Sequence, residues 1–398
     1  MPVFEQINEI GPGLAVTNRS GVELDISGFS QCKIVLQLGR PDEFTLEFPA
    51  RNSEDRWRSD MPVWQTGGGI IAKAGYNGAL DLLQKFEIVS TTNAYDGDDG
   101  GETAVVRGAS DLIRAYKSKK ARVFDFAKGK QGSPGSGNDA QIIDAICSDF
   151  GWTNGVTADL DNPPKRSKEN GKPDTDLLMD IASDALIGAP RLSRDDVLEM
   201  PEPTLGTLKY ARGQSPSGGV WRRLHSLESN RESGSTTPRV AVLAWDPKTK
   251  TFIQTEFEAD EFGGDPRIVF EGPASVSELT KDASTTGLTL AVINHRGQTT
   301  KDNIDILSLG RYFNESDAIS LARRWFILRE KLSRWSDITV DGHRDLVPYK
   351  SIELGGNLAA VDRGVWLPIK VTHRFDNSGW MTTCRSIRVV DEVVIHGA

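Results

Sequence analysis

Residues Val371–Arg388, VTHRFDNSGWMTTCRSIR, carry a histidine, an aspartate, a serine and a cysteine in one short stretch. Read as chemistry, His373, Asp376, Ser378 and Cys384 are the inventory of a hydrolase. Read as backbone, they belong to two β-strands and a turn. A nucleophile–base–acid triad is assembled from distant segments, with the nucleophile on a strained, exposed turn. Here all four residues are neighbours and no GxSxG elbow accompanies them. Alternation in IKVTHRF puts Ile369, Val371 and His373 on one face, and Lys370, Thr372 and Arg374 on the other. Asp376-Asn377-Ser378-Gly379 has hairpin-loop composition. The stretch is expected to be a hairpin, with none of the four catalytic.

The same order of features occurs earlier in the chain. Residues 70–108 read IIAKAGYN, FEIVSTT, a DGDDGG turn and ETAVVRG; residues 351–390 read SIELGGN, LPIKVTH, a DNSG turn and MTTCRSIRV. Each is a strand, a Gly-x-Asn or Gly-Gly-Asn, an insert of about a dozen residues, a strand, a turn and a Thr-rich strand. That separation is no solenoid period. It suggests two copies of one small β-barrel, one at each end.

Between the copies the pattern changes. The first 120 or so residues contain short apolar or alternating runs (ELDI, CKIVLQL, EFTLEFPA, GIIAKAGY, KFEIVSTT, ETAVVRGAS) separated by turn chemistry, as in a barrel or sandwich. Asn138-Asp139 opens an amphipathic helix with Ile142, Ile143, Ile146 and Phe150 on one face. A second helix starts near Asp174, with Leu177, Leu178, Ile181 and Ala185 inward and Gly188 as its stop. Strands return from Thr207, residues 258–314 read as irregular, and Asn314-Glu315-Ser316 caps a long helix over 316–335. The expected class is α+β, mainly β. The expected domains are a first barrel over 1–119, a small α/β unit over 120–205, and a second barrel over 206–398. That last barrel would use core strands at about 237–257 and 336–393, with an irregular and helical insert at 258–335.

Composition narrows the function. With 398 residues, 38% hydrophobic and 26% charged, the chain has a globular composition and room for two or three domains. No run of apolar residues is long enough to span a bilayer as a helix. MPVFEQINEIGPG has neither a basic nor an apolar leader region, so no secretion signal is expected. A net charge of −9 argues against a protein built to grip DNA phosphates, though an acidic surface lets nucleic acid slide past. Cys32, Cys147 and Cys384 are odd in number and far apart, which excludes a disulfide framework. His225, His295, His343, His373 and His396 show no metal-ligand spacing, so no metal or cofactor is expected.

Other motifs favour structural readings. Asp96–Glu102, DGDDGGE, has Gly101 at the sixth position of a calcium loop, but Gly100 and Arg107 stand where ligands belong. Lys128–Gly137 lacks the GK[ST] ending of a phosphate cradle, and Gly67-Gly68-Gly69 precedes no helix. Asp195-Asp196 and the acids of Glu258–Glu261 are the available carboxylate pairs for glycoside hydrolysis. The run from Arg323-Arg324-Trp325 to Arg334-Trp335 reads as an amphipathic helix whose arginine stems cover apolar surface.

The ordered motifs resemble the late-control protein D family, the baseplate hubs of contractile phage tails. The T-even central hub protein and the N-terminal part of type VI secretion spike proteins are relatives of that family. IIAKAGYNGALDLLQKFEIVSTT followed by AVVRGASDLIRAY is similar to the family's Gly-Tyr strand and the segments after it. GKPDTDLLMDIASDA resembles the family's sD-x-x-F-L-x-x-L-A helix, and VAVLAWDPKTKTF and the 316–335 helix follow in family order. The closing W-x-I-x-x-V-x-H-x-F-x-x-x-G-y-x-T pattern stands here as Trp366, Ile369, Val371 (one step early), His373, Phe375, Gly379, Trp380 and Thr382. The chain departs at Glu87, where the family has glycine, and at Pro348-Tyr349, where it has Pro-Gly. The resemblance implies two similar barrels per chain and a homotrimeric, pseudo-sixfold ring. That ring would join the hexameric tail tube, or a tube-initiator protein, to a trimeric central spike. Tape-measure and baseplate wedge proteins are further implied partners, and DNA would pass through a neutral or acidic lumen. The implied location is the tail baseplate of a virion, assembled in the host cytoplasm. The alternatives are a tail-associated cell-wall hydrolase carried by residues 120–205, and the equivalent hub of a secretion or toxin-injection device.

Overall fold

The computed structural model describes residues 13–51, 57–76, 78–95, 102–125, 137–158, 160, 165–168, 171–185, 187–201, 204–216, 219–231, 239–246, 251–258, 267–274, 304–312 and 334–388. Six antiparallel strands come first: β1 (Gly13–Asn18), β2 (Gln31–Gln37), β3 (Glu43–Pro49), β4 (Gly69–Tyr76), β5 (Ala79–Tyr95) and β6 (Glu102–Ala109). They lie in the order β1-β4-β5-β6-β3-β2. Alternation decides which face is buried. In β3, Phe44, Leu46 and Phe48 point inward, and in β4 Ile70, Ala72 and Ala74 do. Phe44 meets Phe86 at 5.3 Å between ring centroids, and Phe48 meets Trp64 at 5.1 Å. Sequence reading missed β1 and expected a strand at ELDI, where only a Thr17–Glu23 bridge forms.

A smaller helical part follows. It comprises α1 (Leu112–Lys117), β7 (Arg122–Asp125), α2 (Gly137–Phe150), β8 (Thr153–Asn154), β9 (Lys165–Lys168), α3 (Asp174–Asp184), β10 (Arg191–Leu192) and β11 (Val197–Glu199). The strands form a two-stranded β7-β9 ribbon and a β10-β11-β8 sheet. As the 3.6-residue periodicity requires, Ile142, Ile143 and Ile146 of α2 join Leu177, Leu178 and Ile181 of α3 in a core of their own. Leu112 and Ala115 belong to that same cluster, so α1, ahead of residue 120, packs with it.

After β12 (Thr204–Arg212) and β13 (Trp221–Arg231) come β14 (Arg239–Asp246), β15 (Thr251–Glu258), β16 (Arg267–Ala274) and β17 (Ile304–Tyr312). By compactness residues 229–335 are a unit apart from the remainder. Within it the sheet order is β16-β15-β14-β17. This corrects two expectations. The strands near 237–257 belong to this separate sheet rather than to a barrel, and 258–314 contains β16 and β17 instead of being irregular throughout. The expected 316–335 helix lies outside the described residues, except that Arg334 and Trp335 begin a strand.

The last strands are β18 (Arg334–Asp341), β19 (Lys350–Gly356), β20 (Gly364–Asp376) and β21 (Gly379–Arg388). With β12 and β13 they form a six-stranded barrel, β20-β19-β12-β13-β18-β21, closed by the β20–β21 pairing. β12 runs parallel to both its neighbours. β2 pairs antiparallel with β20 from Gln31↔Asp376 to Gln37↔Lys370, so both six-stranded halves share one sheet. The expected repeat is present as two three-stranded meanders, β4-β5-β6 and β19-β20-β21, each with a long central strand. In the first copy the expected insert is absent, because its residues open the 17-residue β5. Only the second half closes on itself: among the described residues β1 and β2 end the first half without pairing to each other.

Candidate functional site

The opening hairpin is where candidate chemistry and architecture meet. A register shift between Pro368 and Lys370 bulges β20 at Ile369. Trp366, Leu367 and Pro368 are therefore buried in succession, and beyond the bulge Val371, His373 and Phe375 face inward. The bulge takes Ile369 out of the fully buried set that alternation had assigned it to. His373 pairs across the hairpin with Thr382, Phe375 with Trp380 and Val371 with Cys384.

His373 is fully buried. Its Nδ1 lies 2.8 Å from the Thr382 hydroxyl, and the Trp380 indole N–H donates to it at 3.3 Å. Indole is a donor only, so Nδ1 is unprotonated, the Thr382 hydroxyl is a second donor, and the ring proton sits on Nε2. Burial pushes the imidazole down to about 3; the Leu346 backbone opposes the fall, while His343 and Arg191 add to it. A ring held neutral and walled in by Trp380 does not exchange protons with a substrate. Asp376 does other work. Its Oδ1 accepts the Ser378 backbone N–H at 2.8 Å and the Ser378 hydroxyl, and Arg374 pairs with its Oδ2 at 2.9 Å. Those bonds, the Ser378 hydroxyl first, hold its carboxyl below the usual range and close the turn. Cys384 is buried, and burial alone pushes its thiol up, which keeps it un-ionised. The structure brings His373 to Thr382 and Trp380, not to Asp376, Ser378 or Cys384.

The cluster instead joins the two halves of the sheet. Trp380 stacks on Phe375 at 5.0 Å and on Tyr76 of β4 at 5.5 Å. The Tyr76 hydroxyl donates to the Gly342 carbonyl at 3.1 Å. Gly342 lies under the Trp380 ring, where a Cβ would approach to 2.2 Å. His343, next in the chain, is lowered to about 4 by burial first and then by Arg222.

The other candidates are scattered. Lys85 pairs with Asp196 at 2.6 Å, and Asp196 takes a φ of 59° in the turn before β11. Asp195 stands exposed beside it. Gly67 has a φ of 87° and Gly69 starts β4, a bend between strands as expected. Residues 96–101, 128–136, Glu261 and Arg323–Trp325 lie outside the described residues, as do His295 and His396. His225 meets Asp341 at 2.7 Å. Cys32 and Cys147 are buried, and among the described residues no cluster of three metal-ligating side chains occurs. No helix among them is long and apolar enough to cross a membrane. A groove of about 550 Å³ beside β12 and β19 is lined by the Lys209–Glu353 pair (2.7 Å), Trp221 and Asn357.

Two polar clusters escaped sequence reading because their partners are far apart in the chain. Asp42, almost fully buried, accepts the Gln37 N–H at 2.9 Å and the Gln84 amide at 2.5 Å. Arg191 stands 3.9 Å away. Burial raises this carboxyl to about 6 despite Arg191 and the two hydrogen bonds. Gln84 also donates to the Leu192 carbonyl at 3.1 Å, and Gly39 N–H to Pro190 at 2.9 Å, so this node docks the helical part onto the first six strands. Within the helical part Arg166 grips Asp139 through two bonds of 2.5 and 2.6 Å. Asp174 takes two bonds of 2.7 Å from Arg122 and one contact of 2.6 Å from Lys168. Burial pushes Asp174 up, but those cations outweigh it and hold the carboxyl below its usual range. The only sequence signal was the position of Asp139 and Asp174 in first helical turns, which a dipole argument explains equally well.

No protein-family model and no curated protein matches this sequence. Solved structures share its fold. The 43 kDa tail protein of prophage MuSo2 from Shewanella oneidensis superposes with a TM-score of 0.61 at 12% identity, covering 95% of this chain and 98% of that one. A tail protein from Neisseria meningitidis MC58 gives 0.61 at 13% identity, with 96% and 98% covered. The E. coli c3393 protein is a type VI secretion system component similar in structure to the T4 bacteriophage tail proteins gp27 and gp5. It gives a TM-score of 0.52 at 11% identity, with 96% and 79% covered. What is shared at these identities is the fold, and it is the fold of phage tail proteins, in agreement with the motif resemblance.

Proposed function

We propose that this chain is the structural baseplate hub of a contractile phage tail. Three copies form a pseudo-sixfold ring that adapts a hexameric tail tube to a trimeric central spike and lets DNA pass. The observation that carries this reading is likeness along nearly the whole length of two tail proteins, 95–98% of each chain. The repeated meander supports it physically, since a chain with two similar halves lets a trimer present six near-equivalent faces. The reading is non-enzymatic, because the residues of the hydrolase inventory are used for packing and turn closure. Light scattering after gel filtration is expected to give three times the 43.6 kDa chain mass, with rings in negative-stain micrographs. A stable monomer at micromolar concentration with no rings sinks the proposal. So does clearing in a peptidoglycan zymogram that Asp195→Asn or Asp376→Asn abolishes.

The likeness to the c3393 protein favours a second reading, in which the same hub serves a secretion or injection device. Gene neighbours discriminate: capsid and terminase genes indicate a phage, an effector cluster an injection device.

A further inference from the structure

Charge is unevenly spread. Between residues 112 and 130 the chain has seven Lys or Arg and one Asp, a net of +6 in a molecule of net −9. Lys128 and Lys130 lie outside the described residues, and Arg114 bonds the Phe150 carbonyl at 3.0 Å; the other four differ in how they are used. Arg122 is consumed by Asp174 and Asp149, with bonds of 2.7 and 2.8 Å, just as Lys168 and Arg166 on the paired strand are consumed by Asp174 and Asp139. Lys117, Lys119 and Lys120 are exposed and form no ion pair among the described residues. Tyr116 precedes the lysines and is 49% exposed. The segment is held in place. Ser118 is extended (φ −70°, ψ 116°), its carbonyl accepts Lys168 Nζ at 3.3 Å, and the Lys119 carbonyl accepts the Gly171 N–H at 3.3 Å.

We infer that Tyr116, Lys117, Lys119 and Lys120 form a weak, sequence-independent contact for single-stranded nucleic acid. An exposed ring beside a track of lysines is the arrangement that stacks a base while neutralising its backbone. From Lys117 to Lys120 the chain spans about 10 Å, the length of about three stacked nucleotides. A membrane surface fits less well, because α1 has only six residues and of its aliphatic ones Leu112 and Ala115 are buried and Ile113 is half-buried. An acidic protein fits less well too, since Tyr116 is the single exposed ring among these four residues and a protein interface needs a broader apolar centre. This inference does not depend on the tail assignment.

Fluorescence anisotropy of the full chain with labelled oligo-dT tests it. Binding is expected in the range of roughly 10⁻⁴ to 10⁻⁶ M near physiological salt, tightening at lower salt with a log–log slope of about −2 for three phosphates. K117Q/K119Q/K120Q is expected to flatten the slope toward zero. Tyr116→Ala is expected to lower affinity about five-fold or more and leave the slope unchanged. All four side chains are exposed, so far-UV circular dichroism of each variant should match the parent. Parent-like binding by the triple variant overturns the inference. Equal binding of poly-glutamate or of phosphatidylglycerol vesicles overturns it as well, by making the patch a site for acidic protein or membrane.

Discussion

Replacing His373 by alanine removes an imidazole from the centre of the second barrel. Three effects add, though not independently. The Trp380 indole N–H and the Thr382 hydroxyl lose their common acceptor in a site where both residues are buried, and a stranded buried group costs about 1–3 kcal/mol. Removing an aromatic ring leaves a cavity, which for Phe→Ala costs about 3–5 kcal/mol. Because Thr382 can rotate and Trp380 can settle, the combined loss should be about 3–5 kcal/mol rather than the sum. His373→Phe keeps most of the volume and loses only the hydrogen bonds, so about 1–3 kcal/mol is expected. Urea unfolding followed by tryptophan fluorescence suits the measurement, since Trp380 and Trp366 lie in this barrel. The pH dependence gives a second handle. A histidine lowered from 6.5 to about 3 contributes stability that is complete above pH 6.5 and is lost as the pH falls toward 3. That loss is about 1.4 kcal/mol per pH unit. Asp42, raised from 3.8 to about 6, acts oppositely, stabilising the fold by a similar amount per unit as the pH falls from 6 to 3.8. His343 adds a smaller loss in the direction of His373, screened by its partial exposure. The parent should therefore be nearly flat between pH 6 and 4, while His373→Phe should grow more stable as the pH falls. An alanine variant that loses under about 1 kcal/mol, or a phenylalanine variant with the parent's pH profile, would refute this account of the site.

Asp42→Asn removes the opposing slope, so its stability should fall by about 1.4 kcal/mol or slightly more per unit between pH 6 and 4, measured by the same titration. Gly342→Ala places a methyl 2.2 Å from the Trp380 ring. It should cost about 1–3 kcal/mol and diminish the near-UV circular dichroism of the Tyr76–Trp380–Phe375 stack. Asp174→Asn leaves Arg122 and Lys168 without their shared carboxylate, and thermal melting should report a loss of about 3–5 kcal/mol. Replacing all three by apolar residues of similar size should cost less than that single change. In the parent, the share due to Asp174 is present above pH 3.8 and is lost as the pH drops below it, because its carboxyl is lowered in the fold.

Much of the local structure was legible. Helices α2 and α3 follow from apolar residues three and four apart, and the β20–β21 hairpin from alternation around Asp376-Asn377-Ser378-Gly379. The demotion of His373, Asp376, Ser378 and Cys384 also came from spacing, since one hairpin cannot turn all four toward one substrate atom. Legibility stopped where partners are remote. ELDI has a strand's composition, yet β4 was already paired to the unnoticed β1 and left it a single bridge. The strands near 237–257 look like barrel strands in composition, but pairing places them in a sheet of their own. Asp42 and Gln84, or Arg122 and Asp174, carry no mark in sequence that they will meet.

The division has a physical cause. Periodicity, turn residues and caps act over a few residues, so the sequence alone determined helices α2 and α3, most strands of the two meanders with their apolar faces, and that one meander occurs twice. Hydrogen-bond ladders between strands are chemically alike wherever they form, so only tertiary packing decided that β2 joins β20, that the second half closes while the first does not, and that a bulge at Ile369 resets the alternation. The same packing turned His373 from a candidate base into a neutral ring beneath Trp380, because burial and two donors, not its place in the chain, set its chemistry.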